Sequence, residues 1–471
     1  MYKFRVRYEE ENYLNDFNET VRSFYPYATT SDDGDEIILT QSRDGNFLES
    51  SVQILQKNFK RRDYCIETDE ILVKRYQKRY LKLILYSALS ALLGVSLPWG
   101  SLTGIRPTKL AYDLKNSGVL NPTNALKEQF FVSHSRAKLL EDIMCAQEGI
   151  YNGDEKSVDL YINIPFCVSR CSYCSFVSAL TTDKERLLLP YAKALHKEID
   201  SALDIIKNRG YNLRAIYCGG GTPTAFSAKL LKEVFSGLTF NAGEFTVECG
   251  RPDTIEEEKL DYLASVGVNR ISINPQTFNQ SVLDEIGRRH SVDEIYKSYE
   301  LARNYPFRIN MDLIADLPTD TAKSFLYSID ECIKLSPDNI TVHALSIKHS
   351  SKMQADNYDN RAKLKNDMID AVDEARSRLY DSGYLPYYMY RQKNTSGNLE
   401  NIGYSKPNAQ CVYNIDIMEE NTSIISCGAG GISKRVFFEN GRIERQNIVK
   451  NIEQYLREID VIIAKKGAFF N

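Results

Sequence analysis

The chain changes rhythm twice along its length, and each change separates one kind of element from another. From Val158 onward, short apolar runs alternate with longer amphipathic stretches. The runs at 158–164, 213–217, 244–248, 270–273, 308–314 and 339–345 read as strands. Between them, 184–207, 227–238, 255–266, 282–286, 292–304 and 322–335 carry the wider spacing of helices. Six strands with intervening helices predict an α/β fold, a parallel sheet curved into a partial (β/α)6 barrel. Chemistry in such barrels gathers at the C-terminal ends of the strands.

Outside this region the pattern is mixed. Residues 1–145 join strand-like runs at 1–7 and 36–40 to helical ones at 69–93 and 125–147, and 148–156 reads as a linker. After Ser350 the alternation stops, a helix is expected over 360–382, and a distinct unit begins near Tyr384. The expected division is an α+β extension at 1–150, the barrel at 151–350, and a small mixed α/β extension at 351–471. One stretch raises a membrane question, because no charge falls between Lys82 and Arg106. Ser87, Ser90, Gly94, Ser96, Pro98, Gly100 and Ser101 interrupt it, so 81–93 is expected to be a buried core helix.

Composition narrows the partners. Apolar residues make up 43% and charged residues 26%, close to the globular average. The formal charge of −4, from 59 basic and 63 acidic residues, gives no electrostatic reason to expect nucleic acid or an anionic membrane. Met1 to Arg7 alternates like a strand and lacks the apolar core of a signal peptide, which points to the cytoplasm. Ten cysteines in a reducing compartment are thiols, so a tight cluster of them points to a metal.

There is one such cluster. Cys167, Cys171 and Cys174 fall within eight residues on a loop leaving the first barrel strand, with no fourth Cys or His nearby. A closed zinc site takes four ligands. Three thiolates suit an iron–sulfur cubane with one iron left open.

The spacing CxxxCxxC, with Tyr173 before the last cysteine and Ile164-Pro165-Phe166 ahead of the first, resembles the radical S-adenosylmethionine (SAM) signature. Within that superfamily the chain is similar to oxygen-independent coproporphyrinogen III oxidases (coproporphyrinogen dehydrogenases), in a branch with a long N-terminal extension. The resemblance runs from about residue 100 to the end, through Gly104 to Lys109 and Pro386 to Asn394. It implies a [4Fe–4S] cluster on Cys167, Cys171 and Cys174. It also implies that SAM is bound by Gly219, Gly220, Gly221 and Thr222 after the second strand, and by Glu248, Gln276, Arg288 and Asp312. Tyr161 and Ala344 fall at further SAM-contact positions.

Three positions depart from the better-characterised members. Asn163 stands where His is frequent, Phe176 where another Cys is frequent, and Asp316-Leu317-Pro318 replaces Gly-Leu-Pro. The implied reaction is oxidative decarboxylation of coproporphyrinogen III propionates to vinyl groups, in porphyrin and heme biosynthesis. An electron donor such as flavodoxin or ferredoxin would serve it. The alternatives on the same scaffold are a heme-binding chaperone and a radical SAM methyltransferase that opens heme. His290 and His343 are additional candidates, and Cys218 and Cys249 read as small buried residues. Tyr387, Tyr388, Tyr390, Arg391, Lys393, Lys406, Lys434 and Arg435 are candidates for a lid over a tetrapyrrole.

Overall fold

The computed structural model of the protein describes residues 2–25, 28–104, 106–151, 154–176, 178–346, 353, 366–392, 399–439 and 441–471. The chain divides into two compact units, Met1–Glu141 and Asp142–Asn471.

The first unit contains β1 (Lys3–Arg7), α1 (Leu14–Phe24), β2 (Thr29–Thr30), β3 (Asp35–Asp44), β4 (Phe47–Ile54), β5 (Lys57–Tyr64), α2 (Glu70–Leu93), α3 (Pro107–Asn116), α4 (Pro122–Phe130) and α5 (His134–Ala146), within which the division falls. Its sheet runs β2-β1-β3-β4-β5. Period-2 alternation sends Phe4, Val6, Ile37, Leu39, Val52 and Ile54 to one face, where they meet Phe17 and Val21 of α1. Leu81, Ile84, Leu85, Ala88 and Leu89 of α2 complete that core. The helix expected over 81–93 is therefore core as far as Leu89, whereas Leu93 at its end and Val95 beyond it are exposed; among the described residues no helix is long and apolar enough to cross a membrane. The single helix expected over 125–147 is in fact two. Phe131 takes a left-handed conformation (φ 60°) that ends α4, and the Ser133 hydroxyl accepts from the Arg136 N–H to start α5.

The second unit contains β6 (Ser157–Ile164), β7 (Phe166–Cys167), β8 (Ala179–Leu180), α6 (Glu185–Arg209), β9 (Asn212–Gly220), α7 (Ala228–Phe235), β10 (Glu244–Glu248), α8 (Glu257–Ser265), β11 (Arg270–Ser272), α9 (Gln280–Glu285), α10 (Val292–Ala302), β12 (Arg308–Ala315), α11 (Ala322–Leu335) and β13 (Asn339–Ala344). It continues with α12 (Asn366–Asp381), β14 (Leu385–Arg391), β15 (Glu400–Ser405), α13 (Val412–Glu419), β16 (Ser423–Cys427), β17 (Ile432–Phe437), β18 (Arg442–Asn447) and α14 (Ile452–Phe469). The expected helix over 360–382 is described from Asn366; its first residues lie outside the described set.

The six strands of the barrel, β6 and β9 to β13, pair in parallel in sequence order. The C-terminal strands extend this same sheet at both edges. β16 lies parallel to β6, and β15 lies antiparallel to β13. Burial on both faces explains why β6 and β16 read as nearly unbroken buried runs.

A buried ionic pair closes the N-terminal end of the barrel. Arg270 Nη2 lies 3.3 Å from Glu244 Oε2, and the Arg270 fork also reaches Asn339 and the Gln410 carbonyl. The Glu244 carboxylate accepts the N–H groups of Val412 and Tyr413 at 3.0 and 3.1 Å. A second buried pair, Lys466 to Glu198 at 2.6 Å, fastens α14 to α6. There Glu198 also accepts from Tyr455 O–H and the Gly428 N–H, at 2.6 and 2.7 Å.

Candidate active site

The cysteine loop grows out of the C-terminal end of β6. After Pro165 the chain forms the two-stranded ribbon β7–β8, which pins both ends of the loop. The Cys174 N–H bonds the Cys171 carbonyl at 3.2 Å in a turn, and the Ser172 N–H bonds the Ile286 carbonyl at 3.0 Å beyond α9. Burial raises the Cys174 thiol above its ordinary value, and the nearby Cys171 and Cys167 thiols add to the rise. Among the described residues, no three His, Cys, Asp or Glu side chains stand in metal-holding geometry. The three thiols are neighbours on one loop, without being drawn into a formed ligand set.

The glycine-rich turn after β9 lies against this loop. Gly221 N–H bonds the Ile164 carbonyl at 2.9 Å, and Thr222 N–H bonds the Phe166 carbonyl at 2.7 Å. The Thr222 hydroxyl points at Cys167 Sγ, 3.6 Å away. A Cβ on Gly221 would run into the Phe166 backbone, and one on Gly219 would lie 2.8 Å from Glu248 Oε2. Gly220, at φ +108°, has a conformation that L side chains rarely adopt. The glycines thus permit a close approach of backbone to backbone at the mouth of the barrel.

Glu248 and Ala344 end β10 and β13, Gln276 follows β11, and Asp312 lies inside β12, three residues before its end. Glu248 accepts from the Tyr217 hydroxyl at 2.6 Å. Burial raises its carboxyl to about 7, against the lowering effect of that bond. Gln276 takes φ 68°, is 7% exposed, and its Oε1 has no hydrogen-bond partner. Burial pushes the Asp312 carboxyl up, but the neighbouring His343 ring and the hydrogen bond from Asn310 outweigh it and hold the group below its ordinary value. Arg288 donates to the carbonyls of Gly250 and Asn274 at 3.2 and 2.6 Å and lies against Tyr173 and Cys171. Its Nε is buried without a partner, as are Asn274 Oδ1 and Ser272 Oγ. Tyr161 stacks with Tyr217 and Tyr413, with ring centroids 6.3 and 6.1 Å away.

Unpartnered buried polar atoms are rare in folded proteins. Four of those described in this chain, Ser272 Oγ, Asn274 Oδ1, Gln276 Oε1 and Arg288 Nε, lie at this end of the barrel, beside three soft thiols and a side-chain-free turn. That donor set fits an iron–sulfur cubane with a polar cofactor lying across the strand ends.

The remaining candidates separate. His343 Nδ1 lies 3.2 Å from the Tyr390 hydroxyl and Nε2 lies 3.8 Å from Asp312, which puts this histidine in the site. His290 is fully buried with both ring nitrogens unpartnered, and burial lowers it to about 4, so it stays neutral. Cys218 and Cys249 are buried. Asn163 holds the glycine loop after β16, donating to the Ala429 carbonyl at 2.5 Å, while Tyr191 O–H bonds its backbone carbonyl at 2.8 Å.

Several of the expected lid groups are engaged elsewhere. Tyr387 and Tyr388 are buried in a core with Cys411, Tyr413 and Ile415. Lys406 bonds the Ser336 carbonyl and hydroxyl at 2.7 Å, near the start of β13 and so at the opposite end of the barrel. Lys434 lies 3.7 Å from Glu420, and Arg435 bonds the Phe469 carbonyl at 3.0 Å. Lys393 lies outside the described residues. Tyr217 and Tyr413 were not singled out from sequence. Tyr217 sits two residues before Gly219, and period-2 alternation would have placed it on the same face.

Residues 161–332 match the Radical SAM superfamily. The chain is 36% identical over 379 residues to the oxygen-independent coproporphyrinogen-III oxidase-like protein HemZ of Bacillus subtilis, covering 78% of this chain and 75% of that one. It is 31% identical over 312 residues to the heme chaperone HemW of Haemophilus influenzae, covering 64% and 76%. Among solved structures it resembles coproporphyrinogen III oxidase (HemN) from Escherichia coli, with a TM-score of 0.49 and 22% identity over 70% of this chain and 73% of that one. The chain therefore belongs to the radical SAM family of oxygen-independent coproporphyrinogen-III oxidase-like proteins and heme chaperones, whose cofactors are a [4Fe–4S] cluster and SAM.

Proposed function

We propose that the protein is a radical SAM oxidoreductase that decarboxylates the propionates of coproporphyrinogen III to vinyl groups, giving protoporphyrinogen IX. The observation that carries this reading is the 36% identity to the oxidase-like HemZ, sustained over 78% of the chain and so well beyond the SAM-binding barrel. In this reading Cys167, Cys171 and Cys174 would hold the cluster, with SAM beside it. The Gly219 to Thr222 turn presents its backbone to the amino group of SAM. Asp312, kept ionised by His343 and Asn310, suits a hydroxyl donor, and Glu248 suits a second. Gln276 Oε1 and Arg288 Nε meet the remaining polar groups with atoms that the fold leaves unpaired. Tyr161 and Ala344 would supply further SAM contacts in this reading.

When bound, SAM and the cluster would supply the radical chemistry that takes hydrogen from a propionate side chain. The chain's own part is to bind, orient and exclude water. The stacked rings of Tyr161, Tyr217 and Tyr413 form an apolar wall next to the Glu248 carboxyl, and Tyr390 with His343 faces Asp312. Residues 351–471 supply Tyr390, a lid candidate that this reading keeps, and Tyr413, which the sequence did not single out. In this reading an electron donor such as flavodoxin or ferredoxin, in the cytoplasm, reduces the cluster, and a separate one-electron acceptor takes the electron released as CO2 leaves and the vinyl group forms.

The second reading is heme binding without turnover, favoured by the HemW relatives. An anaerobic assay of reconstituted protein with SAM, reductant and coproporphyrinogen III separates the two. Vinyl product and substrate-stimulated 5′-deoxyadenosine are expected. Tight heme binding with no decarboxylated product would overturn the oxidoreductase reading in favour of the chaperone. S-adenosylhomocysteine with release of heme iron would indicate the methyltransferase.

A further inference from the structure

Arg251 follows β10 in Glu248-Cys249-Gly250-Arg251-Pro252-Asp253 and has no part in the SAM contacts assigned above. Its side chain is 3% exposed. A fork to Asp253 fixes it, with Nε to Oδ1 at 3.0 Å and Nη2 to Oδ2 at 2.8 Å. A short helical turn, Pro252–Thr254, holds the two residues in that register. The remaining nitrogen, Nη1, is aimed at Cys171 Sγ, 3.9 Å away. A buried cation this close to a sulfur acts on whatever charge the sulfur carries, with little solvent to screen it. Groups behind the first ligands of a metal set its electronics in this way.

We propose that Arg251, held by Asp253, sets the reduction potential of the cluster through Cys171. The proposal rests on the assignment of Cys171 as a cluster ligand. When the oxidised cluster takes one electron from an external reductant, its negative charge rises by one and no bond is made or broken. The fixed guanidinium stabilises that added charge, and the Asp253 carboxylate behind it partly offsets the effect. Removing Arg251 therefore makes reduction harder, and removing the charge of Asp253 makes it easier. A residue that merely braced the loop would not give shifts of opposite sign.

The test uses the full chain, reconstituted anaerobically, as wild type, Arg251→Met, Arg251→Lys, Asp253→Asn and Cys171→Ala. Iron and sulfide are measured first, and then the midpoint potential by spectroscopically monitored titration with dithionite and mediators, without substrate. At a fixed poise, Arg251→Met is expected to lower the reduced-to-oxidised ratio about tenfold, about 59 mV for one electron. Asp253→Asn is expected to move the ratio the other way, and Arg251→Lys to lie between Met and wild type. Coincident midpoints, or shifts of Arg251→Met and Asp253→Asn in one direction, overturn the proposal. So does a failure of both Arg251 variants to hold iron, which assigns the residue to structure alone. If Cys171→Ala keeps the full cluster, the ligand assignment falls and the proposal with it. If that variant loses the cluster while the potentials are flat, the assignment stands and only the proposal falls.

Discussion

Strand β10 carries two glutamates, Glu244 and Glu248, and the barrel treats them oppositely. Glu244, at the N-terminal end, is enclosed by Arg270, by the N–H groups of Val412 and Tyr413, and by the Cys411 thiol at 3.1 Å. Glu248, at the C-terminal end, has the Tyr217 hydroxyl and the Gly220 N–H, and burial raises its carboxyl to about 7. One end of the strand satisfies its charge with protein, and the other leaves capacity for a ligand. In a parallel barrel the closed end supports the fold and the open end does chemistry. Here that division is drawn within a single five-residue strand.

The sharpest way to test the division is to disable the open end and watch the closed one. Cys171→Ala is expected to abolish the cluster's visible absorbance and all SAM cleavage. The unfolding free energy of cluster-free protein should match that of cluster-free wild type to within about 1 kcal/mol, because no buried carboxylate pair is broken and Arg251 keeps its fork to Asp253. Substantial unfolding of this variant would mean that the loop supports the barrel and that the two ends are not separable.

The converse change acts on the closed end. Glu244→Ala leaves the Arg270 guanidinium, 2% exposed, without its carboxylate. Breaking a buried pair by removing one partner costs about 3–5 kcal/mol. Chemical denaturation should show that loss, whereas a cost under about 1 kcal/mol would mean that the pair is as weak as a surface bridge.

How much of this contrast was legible in the sequence depends on how local the signal was. The six barrel strands and their helices came from period alone. The cysteine loop and glycine turn came from spacing, because close approach and thiol clustering demand particular residues at particular separations. The β4–β5 hairpin gave no such signal. Its turn uses Leu55 and Gln56 at φ 47° and 65°, where Asn-Gly would have announced it. β16 is a short run, Ser423–Cys427, whose place beside β6 is fixed by pairing across more than two hundred residues of chain. The Arg251 contact with Cys171 is likewise invisible until β10 and the cysteine loop are brought together.

The pH dependence of Glu248 sharpens the comparison further. Its carboxyl is raised from 4.5 to about 7 in the folded chain, so the fold binds that proton more tightly than the unfolded chain does. Stability from this group is therefore full below pH 4.5 and is lost as pH rises toward about 7, by about 3 kcal/mol. In SAM-free protein, Glu248→Gln should remove that slope. The gap in unfolding free energy between variant and wild type should then widen across the same interval. A constant gap would mean that Glu248 is solvated enough to titrate normally.

The smallest effect expected is on ligand affinity, and it is the one that gives the open end its meaning. If Glu248 accepts a hydroxyl of SAM, Glu248→Gln replaces a charged acceptor by a neutral one of the same shape. Hydrogen bonds to charged groups contribute about 1.5–3 kcal/mol, against about 1 for neutral ones. The difference corresponds to roughly tenfold in Kd. Equilibrium dialysis with SAM should show that loss near neutral pH, and it should shrink as the pH falls below about 7 and the wild-type carboxyl takes up its proton. An affinity loss independent of pH would place the carboxylate's role in shaping the Tyr217 wall, without direct contact with SAM. The open end of β10 would then be closed by protein after all, through a hydroxyl where Glu244 uses a guanidinium.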